Sequence, residues 1–412
     1  MILKKGLSFL LKPVTILVVY VVLAVIVSIQ SIGLGSHKFE QRWVGNGNDI
    51  MTAPEIVKQF QGKSYTEYNN YIVFKNSFYH LLACKDLYTI YPDAQWDLYK
   101  YSPSFSLFMG LIAWMPDWLG LMLWNLINAL VLFFAIYKLP FTDKHKAFAL
   151  WFILVSLITS LQASQSNALL AGLMIVAYNC LRNSKSFWAL FWLTAACFIK
   201  PYAAIGFCLF LFYPGKIKFM LYGLLSVTLL FALPLLVTSF SSLLFQYKSW
   251  LHLISADQSA SYGLSIIGLL HSMFGIVHVK NEVMVFGIVL FLLPFARTKL
   301  YGEQRFQLYT LASMLIWLVL FNHKAETPTF IIPIAGTAIW FFADKYKLSN
   351  LILLLLVFVC VSLSTTDLFP KQVKYLFFKV YYMPVLSLLV LWVTITVELL
   401  TMHKKALNAA AE

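Results

Sequence analysis

Long runs of apolar residues recur along the whole sequence and limit its possible folds more than any other feature. A helix that crosses a lipid bilayer needs about 20 mostly apolar residues. Hydrophobic residues make up 60% of the 412 residues and charged residues 12%, which is typical of membrane proteins. Because backbone in hydrocarbon must satisfy its own hydrogen bonds, we predict an all-α integral membrane fold, one polytopic helical bundle over residues 1–412. The roughly twelve candidate spans are 13–34, 118–138, 145–161, 165–182, 187–200, 201–214, 217–240, 284–297, 306–322, 327–344, 350–366 and 377–401.

Basic residues cluster in the short loops between these runs, and their positions predict the topology. The apolar run 102–116 is shorter than a usual span, so its crossing is open. If it is re-entrant, every dense basic cluster falls on one side, as cytoplasmic loops do. We therefore predict a re-entrant segment at 102–116, a first span that is retained, and both termini in the cytoplasm. The clusters include Lys138/Lys144/Lys146, Arg182/Lys185, Lys216/Lys218, Arg297/Lys299/Arg305, Lys345/Lys347 and Lys404/Lys405.

Several function classes lack support in the sequence. The formal net charge of +14 does not indicate a nucleic-acid partner, because the positive residues lie in these loops. The five cysteines have no paired spacing, so neither a disulfide framework nor a zinc site is indicated. No Walker motif, GxGxxG, HExxH or GxSxG occurs, which leaves nucleotide-driven transport and metalloprotease chemistry unsupported. We predict neither a cofactor nor a metal site.

The face opposite the basic loops gathers unusual polar residues from six parts of the chain. It receives the long segment 35–101 and the loops 241–283 and 367–376. Amides and cations also stand at the ends of the predicted spans, where such groups usually mark function. Each has a plainer explanation: the lysines can extend to lipid headgroups, and the amides can join helices by hydrogen bonds. These residues are Gln165, Asn167, Lys200, His323 and Lys324.

The first outer loop, residues 35–101, contains an amphipathic pattern over residues 67–82. Its apolar stripe predicts a helix that lies in the membrane interface. A second amphipathic helix is predicted at 243–254, and the alanine-rich tail 408–412 is expected to be disordered. The stripe of the first helix consists of Tyr71, Phe74, Phe78, Leu81 and Leu82.

The polar groups on this face suit one kind of chemistry. Three cations, Lys200, His323 and Lys324, fit a phosphate held at the level of lipid headgroups. A carboxylate on the same face could take a proton from a sugar hydroxyl. The carboxylates available there are Asp49, Glu67, Asp86, Asp93 and Asp97.

Several short motifs, in this order, resemble glycosyltransferase family 87. The similarity runs from about Tyr71 to Pro214, with weaker echoes at 261–270 and at His323-Lys324. The motifs are Lys85-Asp86-Leu87-Tyr88, Tyr101-Ser102-Pro103, Leu123-Trp124-Asn125 with Asn128, Gln165-Ser166-Asn167 and Ile199-Lys200-Pro201.

The resemblance implies a GT-C type membrane enzyme. Such enzymes transfer a sugar, commonly mannose or arabinofuranose, from a polyprenyl-phosphate donor to a lipid or glycan acceptor on the extracytoplasmic side. No metal is expected for a monophosphate donor. By similarity Lys200, His323 and Lys324 would face the donor phosphate, and Gln165, Asn167 and Tyr101 would line the donor site.

One departure from the family pattern concerns the catalytic base. The family usually has an aspartate where the amphipathic helix of the first outer loop begins, and here Asn69 or Asn70 takes that place. An amide cannot act as a base. We therefore expect Glu67, or else Asp49, to serve, with Asn70 in the catalytic position.

Two other functions stay open at this point. An O-antigen-type polymerase or ligase also acts on lipid-linked sugars, but it relies on a large outer loop late in the chain, whereas the longest loop here comes first. A transporter of lipid-linked or anionic substrates often has two similar halves, and no internal repeat is visible.

Overall fold

The computed structural model describes residues 9–40, 53–256 and 262–404. Helices dominate the described residues, and the only strands among them form a short antiparallel ribbon. Strand β1 (Ser36–Lys38) pairs with β2 (Ser64–Thr66), with Ser36 opposite Thr66. The predicted all-α, membrane-like architecture is confirmed. The α-helices are α1 Pro13–Gly33, α2 Pro54–Phe60, α3 Asn69–Leu82, α4 Pro103–Ala113, α5 Asp117–Tyr137, α6 Asp143–Gln162, α7 Asn167–Arg182, α8 Ser186–Ile199, α9 Lys216–Ala232, α10 Phe240–Ala256, α11 Ile266–Phe274, α12 Lys280–Leu292, α13 Gln304–Leu320, α14 Ile331–Phe342, α15 Leu348–Val357, α16 Lys371–Tyr375 and α17 Met383–Thr401.

Six helices in the described residues are long and apolar enough to cross a membrane. Three of them, α1, α5 and α6, begin the bundle, and the others lie at Lys216–Leu236, Leu348–Thr365 and Met383–Thr401. Shorter apolar helices occupy further predicted spans, among them α7 and α8, and α4 occupies the predicted re-entrant segment 102–116. The count of about twelve spans and the re-entrant path of residues 102–116 therefore stay predictions.

Prolines lie at two breaks in the apolar runs: Pro201 separates the predicted spans 187–200 and 201–214, and Pro384 follows a turn inside the predicted span 377–401. The 3₁₀ helix Pro201–Phe212 follows α8 after a break at Lys200. The predicted span 377–401 is wrong as one continuous helix, because the chain turns at Tyr382, whose φ is +47°, and α17 begins at Met383. Pro384 lies in the first turn of α17, where its missing N–H and its ring are tolerated but where a preceding helix cannot continue.

The predicted amphipathic helix of the first outer loop is α3, and its apolar stripe faces the protein. Tyr71, Phe74, Phe78 and Leu81 are all buried. The Phe74 ring makes edge contacts with three other rings, those of Tyr101, Phe105 and Trp124, at centroid distances of 4.9, 5.4 and 5.5 Å. The expectation that this stripe rests on the membrane is corrected: amphipathic spacing indicates an apolar neighbour, and here the bundle supplies it.

The second predicted amphipathic helix lies within α10. Leu243, Tyr247 and Trp250 are buried against the bundle, whereas Leu251 is 63% exposed. The apolar face of α10 is therefore narrower than the spacing over 243–254 indicated. The predicted disordered tail, 408–412, lies outside the described residues.

Helices α6, α13 and α14 connect two ends of the bundle. We call one the amide end; it holds the turn 163–166 and the segment 321–326. We call the other the basic end; it holds the loops 138–142, 297–303 and 343–347. Helix α6 has 20 residues, so the ends are separated by about 30 Å, the thickness of a bilayer's hydrocarbon core.

Candidate functional site

A turn between α6 and α7 presents the predicted amides at the amide end. Ser164 adopts a φ of +52°, which reverses the chain before Gln165. The Trp124 indole donates to the Ser164 carbonyl at 2.9 Å, and the Asn128 amide oxygen accepts from the backbone N–H of Leu169 at 3.0 Å. These two residues, which carry part of the family resemblance, thus fix the turn and the start of α7.

Four side chains from three parts of the chain form a continuous hydrogen-bonded row. Lys200 Nζ donates to Asn167 Oδ1 at 2.6 Å, and Asn167 Nδ2 donates to Gln165 Oε1 at 2.5 Å. Gln165 Nε2 donates in turn to Glu326 Oε2 at 3.1 Å. The row links the start of α7, the break after α8 and the segment before α14, so these elements hold one another in place.

Lys200 is positioned by the proline that follows it. Pro201 ends α8, and Lys200 takes an extended conformation with φ −139° and ψ 112°. The Ser102 N–H donates to the Phe198 carbonyl at 3.1 Å, which brings the neighbouring Tyr101 to the same end. Burial lowers the pKa of the Lys200 ammonium to about 8, although the negative charge of Glu326 opposes the shift. A desolvated ammonium of this kind attracts an anionic ligand strongly.

The segment after α13 carries the other predicted cations. Its backbone pairs with residues 263–264: the Gly263 N–H donates to the His323 carbonyl at 3.0 Å and the Leu264 N–H to the Ala325 carbonyl at 2.7 Å. A Cβ on Gly263 would lie 2.7 Å from both of those carbonyl oxygens, so only glycine permits this approach. The segment is thereby docked on the loop 262–265.

The structure gathers most of the predicted site residues around one cavity of about 260 Å³, which we call the polar cavity. Asn167 does not line this cavity, but it accepts the hydrogen bond of Lys200, which does. The predicted residues that line it are Asn70, Tyr101, Gln165, Lys200, His323 and Lys324.

The two preferred bases are placed differently. Glu67 does not line the polar cavity; its side chain is 45% exposed and pairs with His37 Nε2 at 3.1 Å. Asp49 lies outside the described residues. The carboxylates that do line the cavity among the described residues are Asp97 and Glu326.

Neither of these two carboxylates was among the predicted catalytic residues. Asp97 appeared only as one acidic residue of the outer face, and its proximity depends on α3: Asn69 Oδ1 accepts from the Trp96 N–H at 3.3 Å. Glu326 had a readable signal, because Glu326-Thr327-Pro328 is the pattern of a helix start. In the structure Glu326 and Thr329 form a reciprocal capping box there.

Lys280 is a cation of the site that the sequence did not single out. It begins α12, and its Nζ lies 3.3 Å from His323 Nε2. Its position at the start of a helix, next to an apolar run, resembles that of an ordinary interface lysine. Only the fold shows that it reaches the same segment as Lys324.

An apolar groove of about 530 Å³ adjoins the polar cavity. Three residues, Tyr202, Asn322 and His323, line both spaces. The groove runs between the 3₁₀ helix Pro201–Phe212, α12 and α13. Its apolar walls include Ile205, Met284, Ile288, Phe291, Trp317 and Phe321. The site therefore combines a charged pocket with an adjoining surface for hydrocarbon.

Within the described residues, no three His, Cys, Asp or Glu side chains are grouped so that they could hold a metal ion. The expected independence from metals is a matter for experiment.

Comparison with models of known protein families gives a match. Residues 99–321, more than half of the chain, match the model of glycosyltransferase family 87. The match contains Tyr101, Gln165, Asn167 and Lys200, and it ends two residues before His323. No curated protein matches the chain.

Proposed function

Because the chain belongs to glycosyltransferase family 87, we propose that it transfers a mannose-like hexose or a pentose from a polyprenyl-phosphate donor. Family membership and the apolar helices indicate a membrane glycosyltransferase. The acceptor in this proposal is a lipid or a glycan. The reaction takes place on the extracytoplasmic face of a bacterial plasma membrane, with both termini in the cytoplasm.

The observation that carries the proposal is the junction of the polar cavity with the apolar groove. A polyprenyl-phosphate sugar has a polar sugar, one anionic phosphate and a long hydrocarbon chain. Tyr202, Asn322 and His323 line both spaces, so a phosphate at this junction would have the sugar on one side and the prenyl chain on the other. A nucleotide sugar has no hydrocarbon chain that could occupy the groove.

The cations around the junction supply the phosphate contacts. Lys200 reaches the cavity from the break after α8, and His323 and Lys324 reach it from the segment after α13. Lys280 lines the groove beside His323. In a partly dry site, charge-assisted hydrogen bonds to a phosphate are stronger than neutral ones. Cation stabilisation of the departing phosphate then removes the need for a general acid.

We assign the role of base to Asp97. Glu326 is held in the hydrogen-bonded row by Gln165 Nε2. Asp97 lines the same cavity, and its Oδ1 lies 3.7 Å from Lys100 Nζ and accepts the Leu98 N–H. Its other oxygen can accept the proton of an acceptor hydroxyl.

The reaction balances with these groups. The acceptor oxygen forms a bond to the anomeric carbon and its proton passes to the Asp97 carboxylate. The bond between the anomeric carbon and the phosphate oxygen breaks, and polyprenyl phosphate leaves with the electron pair. One displacement of this kind inverts the anomeric centre.

The proposed orientation rests on the charge of the two ends. The polar cavity is at the amide end, and the loops 138–142, 297–303 and 343–347 are at the other. Short loops rich in lysine and arginine face the cytoplasm in most membrane proteins. The polar cavity then opens to the extracytoplasmic side.

Purified full-length protein tests the proposal with two labelled donors, polyprenyl-phosphate mannose and GDP-mannose, offered with a bacterial lipid extract as acceptor. We expect label in a new glycolipid or glycan from the first donor only. Lys200→Ala should abolish the transfer and Lys218→Ala, a lysine of the basic end, should not. Transfer from the nucleotide sugar alone, or movement of the donor across vesicles without a new glycosidic bond, would overturn the proposal.

A further inference from the structure

A second cavity, of about 410 Å³, lies at the basic end of the bundle. It is lined by the starts of α6 and α13, the end of α14 and the residues after α17. Because α6 separates it from the polar cavity by about 30 Å, it takes no part in the site described above. Its acidic, basic and histidine lining residues are His145, Glu303, Arg305, Asp344, Lys345 and His403.

An apolar groove of about 580 Å³ adjoins this second cavity. The groove lies between α6 and α15, and His145, Phe342, Asp344 and Tyr346 line both spaces. Several of its apolar side chains are turned outward: Phe148 is 37% and Leu355 is 51% exposed. The arrangement repeats, at the other end of the protein, the combination of a polar pocket and a surface for hydrocarbon.

The charge of this region is positive when all lining groups are counted. Arg305 and Asp344 neutralise each other through an ion pair of 2.5 Å. Glu303 is the other acidic lining residue, against Lys345 in the cavity and Lys144 in the groove. Two lysines thus face one carboxylate.

Lys144 connects the charged and apolar parts. Its Nζ lies 5.9 Å from the centre of the Phe148 ring, so its stem runs along the wall of the groove while its charge stays at the rim. A lysine in this position meets the phosphate of a lipid whose chain follows the ring.

We propose that this cavity and groove form a binding site for an anionic phospholipid of the leaflet at the basic end. The headgroup phosphate lies between Lys144 and Lys345, and one acyl chain lies between α6 and α15. Charge complementarity selects this occupant, since a zwitterionic lipid brings a positive group of its own into a positive pocket. The site is separate from donor binding and does not depend on the proposed sugar transfer.

Native mass spectrometry of the full-length protein, released from detergent with added lipid, tests the site. The probes are phosphatidylglycerol and phosphatidylcholine with the same acyl chains. We expect one phosphatidylglycerol to be retained in preference to phosphatidylcholine. Lys345→Gln should weaken that retention about fivefold, the equivalent of ~1 kcal/mol for one lysine near a lipid headgroup.

Matched variants separate this site from the rest of the protein. Lys218→Gln removes the same charge from the first turn of α9, also at the basic end, and Lys200→Ala alters the polar cavity; neither should change retention. Leu355→Trp fills the exposed groove and should lower retention with the lysines intact. Equal retention of both lipids, or loss on Lys200→Ala and not on Lys345→Gln, would overturn the proposal.

Discussion

The Lys200 ammonium donates a hydrogen bond to Asn167 Oδ1 at 2.6 Å, which joins the break after α8 to the first residue of α7. The bond aims a partly buried cation into the polar cavity. It also explains why the predicted amides and the predicted lysine lie together, since Asn167 bridges Lys200 and Gln165 in the row that ends at Glu326.

Replacing Asn167 by alanine should impair donor use without unfolding the protein. The Lys200 ammonium and the Gln165 amide each lose a partner. Losing a hydrogen bond to a charged group costs roughly 1.5–3 kcal/mol, so kcat/KM for the donor should fall about 10- to 100-fold. Steady-state transfer assays measure this. Asn183→Ala, at the exposed far end of α7, is the matched control, and an equal loss there would dissociate the effect from the site.

Lys280 is expected to contact the donor phosphate. Its Nζ lies 3.3 Å from His323 Nε2 and lines the apolar groove. Lys280→Ala should raise KM for the donor about tenfold, the size expected for one charge-assisted hydrogen bond. Lys299→Ala, an exposed lysine of the basic end, should leave KM unchanged. An unaltered KM in Lys280→Ala would place the phosphate farther from α12.

Activity should depend on pH through Lys200. Burial lowers the pKa of its ammonium to about 8, so the group is charged below that pH and loses its charge above it. The attraction for a phosphate is therefore present at neutral pH and is lost as the pH rises through the pKa. Above this pKa we expect kcat/KM for the donor to decline by about tenfold for each further pH unit.

Lys200→Arg tests the cause of this decline, because a guanidinium stays charged throughout the range. The variant's profile should be flat to about pH 9 even if its overall rate is lower. If kcat/KM of the wild-type protein did not decline up to about pH 9, Lys200 would not be the group that controls the pH dependence.

The positions of most helices could be predicted from the sequence. A helix needs the same kind of apolar run whether its neighbour is lipid or protein, so these runs mark the helices in either case. The bounds of α5, α7 and α8 lie within a few residues of the predicted spans. The break at Lys200 was also predictable, since Pro201 cannot continue α8. What the pattern could not distinguish is the kind of apolar neighbour: the stripe of α3 looks like a membrane-facing helix but is buried in the bundle.

The site was predictable for residues at helix ends and not for those placed by tertiary packing. Lys200 and Asn167 stand out because polar groups at the end of an apolar run are unusual. Asp97 and Lys280 stand in ordinary polar surroundings in the sequence. Their nearness to the site depends on how α3 and α12 pack, which local spacing does not encode.

Variants of Asp97 and Glu67 can show which of these two carboxylates is the catalytic base. Asp97→Asn keeps the shape of the side chain and removes its basicity, so kcat should fall about 10²- to 10⁴-fold while the donor KM changes little. Glu67, which pairs with His37 outside the cavity, should tolerate Gln. Single-turnover rates with saturating donor compare the two variants. A larger loss in Glu67→Gln would return the role to the residue that the sequence favoured.

Gly263 lets the loop 262–265 dock on the segment carrying His323 and Lys324. A Cβ there would approach the carbonyl oxygens of His323 and Ala325 at 2.7 Å, and neither is the end of a flexible side chain. Gly263→Ala must therefore push the two backbones apart, at a cost of about 1–3 kcal/mol for an overpacked contact.

Because the displaced segment carries two of the cations proposed to bind the phosphate, the donor KM should rise along with a fall in the apparent Tm. Gly302→Ala is the matched control, since a Cβ at Gly302 has nothing within 4 Å, and it should change neither quantity. Thermal unfolding and donor titration on the same preparations separate the two effects. If Gly263→Ala behaved like Gly302→Ala in both, the docking of this segment would not be what holds His323 and Lys324 at the cavity.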